Sequence, residues 1–367
     1  MILIFTQYFT PAFKGGGPIT SITNLLSMVK GEFKVIARGH DLNESAPLPI
    51  QLNQWTNQSS NWYVGKGFKA LFSYCRELNT MKQHVFYVNG IFDLKLNLLP
   101  IFFSKKLIIA PRGMLQKGAL ANGSIKKSFY LAVLRVLLRN KQLSWHATDE
   151  VETNDIKALF GPKQGISVIP DLVKQVAHKA STSNKKVGHL HLVYYSLISE
   201  KKNLLFLLEL LNQVPIPFEL HVYGPDKDVA YAKKCKQFAS ESPNLVDNVK
   251  FHGTINPTEF GLIADQFDYF VLPTLGENFG HAIVESLSFG LPVLISDQTP
   301  WQLDSATNNF SLPLSDASKW RDTLHHISLL DALEHKKAKE AASFFQKNQV
   351  LKIQDMAIQA YQTLFTA

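Results

Sequence analysis

Seven residues separate two glutamates, Glu277 and Glu285, in a stretch that reads as strand, turn and helix. A strand is predicted to stop at Leu272. The turn behind it carries Gly276 and Gly280, and a helix holding Glu285 runs on to Gly290-Leu291-Pro292. Glu277 then sits at the carboxyl edge of a sheet and Glu285 on the helix that follows, so both can face one ligand at different depths. Carboxylates accept hydrogen bonds from sugar hydroxyls, and backbone amides around Phe279 and Gly280 can hold a phosphate. The plainer alternative is a capping glutamate and a solvated one.

Other candidates suit anions. Gly15-Gly16-Gly17-Pro18 lies between the first strand and a helix from Ile19. Glycine lets amides approach a diphosphate, and a helix N-terminus adds positive partial charge. The run is neither Gly-x-Gly-x-x-Gly nor a Walker loop, so a simple loop stays open as a reading. Arg112, behind a strand at Lys106–Ala110, either binds phosphate or closes a structural ion pair; both readings are open. Asp226-Lys227-Asp228 could hold a divalent metal in a different fold, but after Gly224-Pro225 it reads as a loop. His-x-x-x-His and His-Glu-x-x-His are absent from the sequence, and no metal site is expected. His281 either touches the ligand or is an ordinary loop histidine.

Such residues need a scaffold that ends several strands on one edge. In the first half, strands are predicted at residues 2–6, 34–37, 84–88, 106–110, 143–147 and 166–169. A second series follows at 191–195, 218–222, 249–252, 269–272 and 293–295. Helical segments separate them, among them 19–28, 66–78, 125–139, 204–211, 230–238, 257–264, 282–289 and 317–333. Short apolar strands alternating with helices argue for parallel sheets of βαβ units. The series occurs twice, which predicts two doubly wound domains facing each other across a cleft. The polar, cationic stretch 178–188 reads as a linker. Domains are therefore expected at 1–184 and 185–348. A last helix within 349–367 either packs back on the first domain or closes the second.

The chain has 367 residues, enough for two or three domains. Apolar residues make up 46% and charged residues 19%, which excludes a disordered chain. Cys75 and Cys235 cannot build a disulfide scaffold or a zinc finger. Met1–Gln7 reads as a buried strand instead of a leader, and no apolar run is long enough to span a membrane. The expectation is a cytoplasmic protein. Residues 1–184 carry a net charge of +12 and residues 185–367 one of −4. A basic first half suits an anionic partner. Within it, Ile125–Lys141 combines Lys126, Lys127, Arg135, Arg139 and Lys141 with Phe129 and several leucines. This segment either rests on an anionic membrane or is a core helix with a basic rim.

Glu277 to Glu285, with the Gly-Leu-Pro-Val exit, resembles the motif of retaining glycosyltransferases of family 4. Ser296-Asp297-Gln298-Thr299-Pro300-Trp301 and Ala110-Pro111-Arg112-Gly113-Met114-Leu115 with Gly118-Ala119-Leu120 resemble a bacterial branch of that family, and His146–Glu150 and Ile169-Pro170-Asp171 sit where this branch has a similar strand end and interdomain junction. The resemblance implies the GT-B fold, two facing Rossmann-like domains. It implies that Glu277 contacts the donor sugar and that Asn278, Phe279 and Gly280 lend amides to sugar and diphosphate. Glu285 would bind the ribose hydroxyls, and Gly16 and Gly17 would approach the diphosphate. Tyr195–Asn203 resembles the family's phosphate-binding segment, with Lys202 as its lysine. The family usually has an arginine at or near Leu197, and this chain does not; Lys201 or Arg112 are the candidates to replace it.

The function expected from the resemblance is transfer of a sugar from a UDP- or GDP-linked donor to an acceptor hydroxyl, with retention and without metal or cofactor. The acceptor is expected to be a saccharide on a lipid carrier, in bacterial surface polysaccharide synthesis. Rival readings are a nucleotide-sugar-binding protein without activity and a dinucleotide-dependent oxidoreductase. The oxidoreductase reading lacks its glycine fingerprint. A nucleic-acid-binding protein lacks a recognisable module.

Overall fold

The computed structural model describes residues 1–56, 61–116, 120, 124–174 and 183–366. Gly118 and Ala119 and residues 178–182 of the expected linker lie outside them. The chain divides into two compact units. Met1–Leu172 with Gln354–Ala367 form one, and Val173–Ile353 form the other. The first crossing thus falls between Leu172 and Val173, ahead of the expected 184/185 boundary. Leu172 is packed into a core of the first unit and Val173 into that of the second. The return falls between Ile353 and Gln354, after the expected 348/349.

The first unit is a seven-stranded parallel sheet: β1 (Ile2–Thr6), β2 (Phe33–Arg38), β3 (Asn61–Val64), β4 (Val85–Asn89), β5 (Lys106–Ala110), β6 (Gln142–Ala147) and β7 (Ile166–Val168). Their order is β3-β2-β1-β4-β5-β6-β7. Both faces are covered, so the strands are continuous apolar runs sorted by the two-residue period. Leu3, Phe5, Phe86, Val88, Leu107 and Ile109 enter one core with Tyr74, Leu78, Leu131 and Leu134 from the helices Phe68–Met81 and Ser124–Leu138. Ile2, Ile4, Tyr87 and Ile108 enter the other, with Ile22 and Leu25 of the helix Gly17–Met28.

That second core is completed by the helix Gln354–Thr366, whose Ala357, Tyr361 and Leu364 are buried in it. Tyr361 meets His146 edge-on at 5.0 Å.

The second unit is a six-stranded parallel sheet: β8 (Leu190–Tyr195), β9 (Phe218–Tyr223), β10 (Val249–Gly253), β11 (Tyr269–Leu272), β12 (Val293–Ser296) and β13 (Phe310–Leu312). The order is β10-β9-β8-β11-β12-β13. Helices Leu204–Leu211, Val229–Glu241, Pro257–Ile263, His281–Ser288, Ala317–Leu329 and Ala332–Phe345 connect or cover it. The single helix expected over 317–333 is two, because Asp331 and Glu334 form a capping box that starts a second one. Lys185, in the linker-like stretch, is buried and lies 3.6 Å from Asp268 of this unit.

In each sheet the order reverses once, between β1 and β4 and between β8 and β11. Ligands of open α/β sheets sit at the carboxyl ends of such a reversal. Among the described residues, no helix is long and apolar enough to cross a membrane.

Tyr361→Ala should remove an aromatic wall of the first unit's core. We expect the first unit to lose about 3–5 kcal/mol, read as a lower urea midpoint of its unfolding transition, with the second unit's transition unmoved.

Candidate active site

Tyr195 ends β8, and the chain then makes a short turn, Glu200–Lys202, before the helix Leu204–Leu211. Asn203, in the left-handed region at φ 57°, joins the two. On the other side of the reversal, Pro273–Gly280 leaves β11. These loops are stitched together by backbone. The Lys201 carbonyl accepts from the Leu275 amide at 2.8 Å and from the Thr274 hydroxyl at 3.0 Å. The Glu277 amide donates to the Gln298 carbonyl at 2.9 Å, and Ser296 Oγ donates to the Thr274 carbonyl at 2.6 Å. Three strand ends are thereby tied into one edge.

Across that edge the Lys202 ammonium and the Glu277 carboxylate meet at 2.5 Å. Their side chains are 17% and 7% exposed, so neither charge is balanced mainly by water. The residues expected to serve the diphosphate and the sugar are thus adjacent.

Beyond Glu277, Phe279 is buried and its ring meets Trp301 edge-on at 5.2 Å. The Trp301 Nε1–H donates to the Phe279 carbonyl at 2.5 Å. Gly280 follows at φ 79°, ψ 55°, a conformation natural to glycine, and starts the helix His281–Ser288. The first amides of a helix have no intrahelical acceptor. Asn278, Phe279 and Gly280, whose amides are expected to serve sugar and diphosphate, lie in the loop just ahead of this helix. Among the described residues, Asn278 Oδ1 is a buried acceptor without a hydrogen-bond partner. Such an atom is costly unless a donor reaches it, and a ligand hydroxyl is such a donor.

Glu285 lies one turn into this helix, four residues after His281. The Tyr195 hydroxyl interacts with its carboxylate. Burial raises the Glu285 pKa to about 6, against the lowering pull of His281 and the Tyr195 hydroxyl. Tyr195 is itself held by stacking on Phe260 at 4.0 Å.

In the first unit, Gly16 adopts φ 68° and caps the helix that Gly17 and Pro18 begin. Arg112 departs from the phosphate-binding expectation. At φ 58° it turns its side chain into the protein, where only 7% remains exposed. Its Nη1 meets Asp171 at 2.5 Å, its Nε donates to Asn89 at 2.7 Å and its Nη2 to the Tyr87 hydroxyl at 2.7 Å. Tyr87 in turn lies 2.7 Å from His146 Nδ1, and His146 Nε2 lies 2.8 Å from the Ile169 carbonyl. Burial first, then the Arg112 charge, hold His146 down at about 3, so it is neutral. A neutral ring donates from Nε2 and accepts at Nδ1, which orders the whole chain of bonds. The guanidinium is engaged as a structural ion pair.

Two features carry no recognisable motif in the sequence. Lys227 interacts electrostatically with Lys202 and Glu277. It stands in the middle of a DxD string, whose pattern points to the two aspartates. His189, His191 and Glu219 bring ligand-capable atoms within 4.8 Å of one another. Two histidines two apart on extended chain share a face, a spacing that a search for helical metal motifs overlooks. They lie at the amino ends of β8 and β9, away from Glu277, and Glu219 is already bound to Lys250 at 2.7 Å.

Residues 177–343 match the family model of glycosyl transferases group 1. No curated protein matches the chain. Among solved structures, sucrose-phosphate synthase from Thermosynechococcus elongatus is similar, with 17% identity, a TM-score of 0.73, and 100% of this chain and 99% of that chain covered. Anabaena Alr3699/HepE, solved in complex with UDP-glucose, shows 16% identity and a TM-score of 0.74 over 100% and 99%. WaaG, a glycosyltransferase involved in lipopolysaccharide biosynthesis, shows 14% and 0.65 over the whole of both chains. The chain has the GT-B fold that these proteins share, and its second unit carries the group 1 domain match.

A methyl group on Gly280 would lie 3.0 Å from Ile283 Cδ1 and 3.5 Å from Trp301 Nε1, in a left-handed backbone. Gly280→Ala should cost about 1–2 kcal/mol in chemical denaturation of the second unit. An unchanged midpoint would mean that the turn before Glu285 is not conformationally demanding.

Proposed function

We propose that this chain is a retaining glycosyltransferase that moves a hexosyl group from a UDP- or GDP-linked donor to an acceptor hydroxyl. The observation that carries the reading is the Lys202–Glu277 pair at the β8/β11 reversal, inside the segment that matches the group 1 glycosyltransferases. In this reading Glu285 accepts the ribose hydroxyls and Asn278 Oδ1 accepts a sugar hydroxyl, which gives that buried atom the donor it lacks. Glu277 orients the donor sugar and holds Lys202.

The difficult event is cleavage of the bond to the diphosphate. As that bond lengthens, negative charge grows on the leaving oxygens and positive charge on the anomeric carbon. A fixed ammonium at Lys202 and the amides at Phe279 and Gly280 stabilise the former without reorganising. Lysine charge takes the part that a divalent ion plays elsewhere, so neither metal nor cofactor is assigned. Retention rests on the family likeness.

We assign the acceptor to the lipid-linked saccharides on the strength of one surface. The helix Ser124–Leu138 buries Leu131, Leu134 and Leu138 yet exposes Ile125, Phe129 and Val136 at 85%, 73% and 62%. Lys126, Arg135 and Arg139 are exposed beside them. Exposed apolar side chains among cations suit a peripheral contact with anionic lipid on the cytoplasmic face. Phe129→Ser with Arg139→Gln should lower the fraction sedimenting with phosphatidylglycerol vesicles at low salt. Equal sedimentation of wild type and variant would remove this basis for the acceptor.

The donor reading is tested by calorimetric titration with UDP and GDP, with EDTA present. One of them should bind. Glu285→Ala should weaken that nucleotide about ten-fold or more. Because Glu285 protonates near pH 6, wild-type affinity should fall as pH drops through that value. The terminal phosphate of the ligand titrates in the same range, so Glu285→Gln is the control, and its profile should be shallower. Identical profiles would exclude Glu285 from the nucleotide contact. Binding without turnover on any acceptor would favour a nucleotide-sugar-binding protein.

A further inference from the structure

The loop after β9, Gly224-Pro225-Asp226-Lys227-Asp228, is laid against the loop after β8. The Ile198 amide donates to the Pro225 carbonyl at 2.9 Å, and the Asp228 amide donates to the Ile198 carbonyl at 3.1 Å. These two bonds bracket Lys227, and Ile198 and Asp226 pair as a parallel bridge. The approach is close enough to require glycine: a Cβ on Gly224 would lie 1.8 Å from the Ser196 carbonyl oxygen. Lys227 therefore has a fixed backbone position beside Leu197, which itself brings no charge.

The carboxylates flanking Lys227 are committed elsewhere. Asp226 meets Lys236 at 2.6 Å, and Asp228 caps the helix Val229–Glu241 by accepting from the Tyr231 amide at 3.1 Å. Among the described residues, Lys227 forms no ion pair within 4.0 Å, and it is exposed to solvent. The charges its ammonium feels are Lys202 and Glu277. The loop bonds thus bring an exposed lysine from β9 next to the segment that leads to the Lys202–Glu277 pair, within electrostatic reach of both.

The geometry points to Lys227 as the second cation for the diphosphate of the nucleotide-sugar, acting beside Lys202 and supplying from β9 the charge that Leu197 lacks, a role that rests on the donor reading above. The Asp226-Lys227-Asp228 string then works through its middle residue. Its two acids hold the loop in place, and its lysine meets the anion.

The test compares wild type with Lys227→Met and Lys227→Arg, titrated with UDP, GDP, uridine, guanosine and inorganic pyrophosphate. Lys227→Met should weaken the diphosphate ligands about ten-fold or more while leaving the nucleoside affinity and the thermal midpoint unchanged. Lys227→Arg should restore most of the loss. Equal diphosphate affinity in wild type and Lys227→Met overturns the assignment. So does a loss shared equally by nucleoside and diphosphate, which would mark a merely structural lysine. If neither UDP nor GDP binds, the donor reading fails, and pyrophosphate decides separately: binding lost in Lys227→Met keeps the lysine as a diphosphate cation, and no binding overturns it.

Discussion

Where β8 and β11 pair in the middle of the second sheet, the chains that follow them leave toward opposite faces. The carboxyl edge between them is left without covering backbone. Lys202 and Glu277 meet in that gap, and the surrounding contacts keep them there. The Lys201 carbonyl holds Thr274 and Leu275, Gln298 holds Glu277, and Ser296 holds Thr274. A charge pair with little exposure is a poor source of net stability, since desolvation offsets most of the attraction. Its value lies in keeping a cation and a carboxylate fixed and partly dry, which suits a leaving group that gains charge as its bond breaks.

The first unit uses the same kind of chemistry for a different end. Arg112 is surrounded by Asp171, Asn89 and Tyr87, and the bond chain continues through a neutral His146 to the Ile169 carbonyl. These residues come from the ends of β4, β5 and β6 and from the segment after β7. Every guanidinium edge is used, so the group joins strand ends and has little left for a ligand. Lysine at the other site has a single charged tip on a flexible stem, which can hold a carboxylate and still turn to an anion.

This difference explains what could be read from residue types alone. The strand, turn and helix around Glu277 and Glu285 were legible because two turn glycines and apolar runs lie in sequence there, and local order carries that geometry. Most strands were legible as short apolar runs. β3 and β13, of four and three residues, sit at sheet edges between polar neighbours and are too short to show a period. The fate of Arg112 depends on Asp171 and Tyr87, distant in sequence, and no spacing reveals such a partner. The same holds for Lys227, which the loop pairing with Ile198 places beside a neighbouring strand's segment. Separate packing of Leu172 and Val173 decides the unit boundary, and adjacent apolar residues give no sign of it.

The helix Gln354–Thr366 has a consequence for the order in which the protein is finished. Its Tyr361 and Leu364 close a core whose other walls, Ile4, Ile22, Tyr87 and Ile108, are made far earlier. During synthesis the first sheet must wait, one face only partly covered by the helix Gly17–Met28, while all of Val173–Ile353 is produced and can fold around its own core. The unit that begins first is completed last. The interval in between is when this chain most needs protection from sticking to its neighbours.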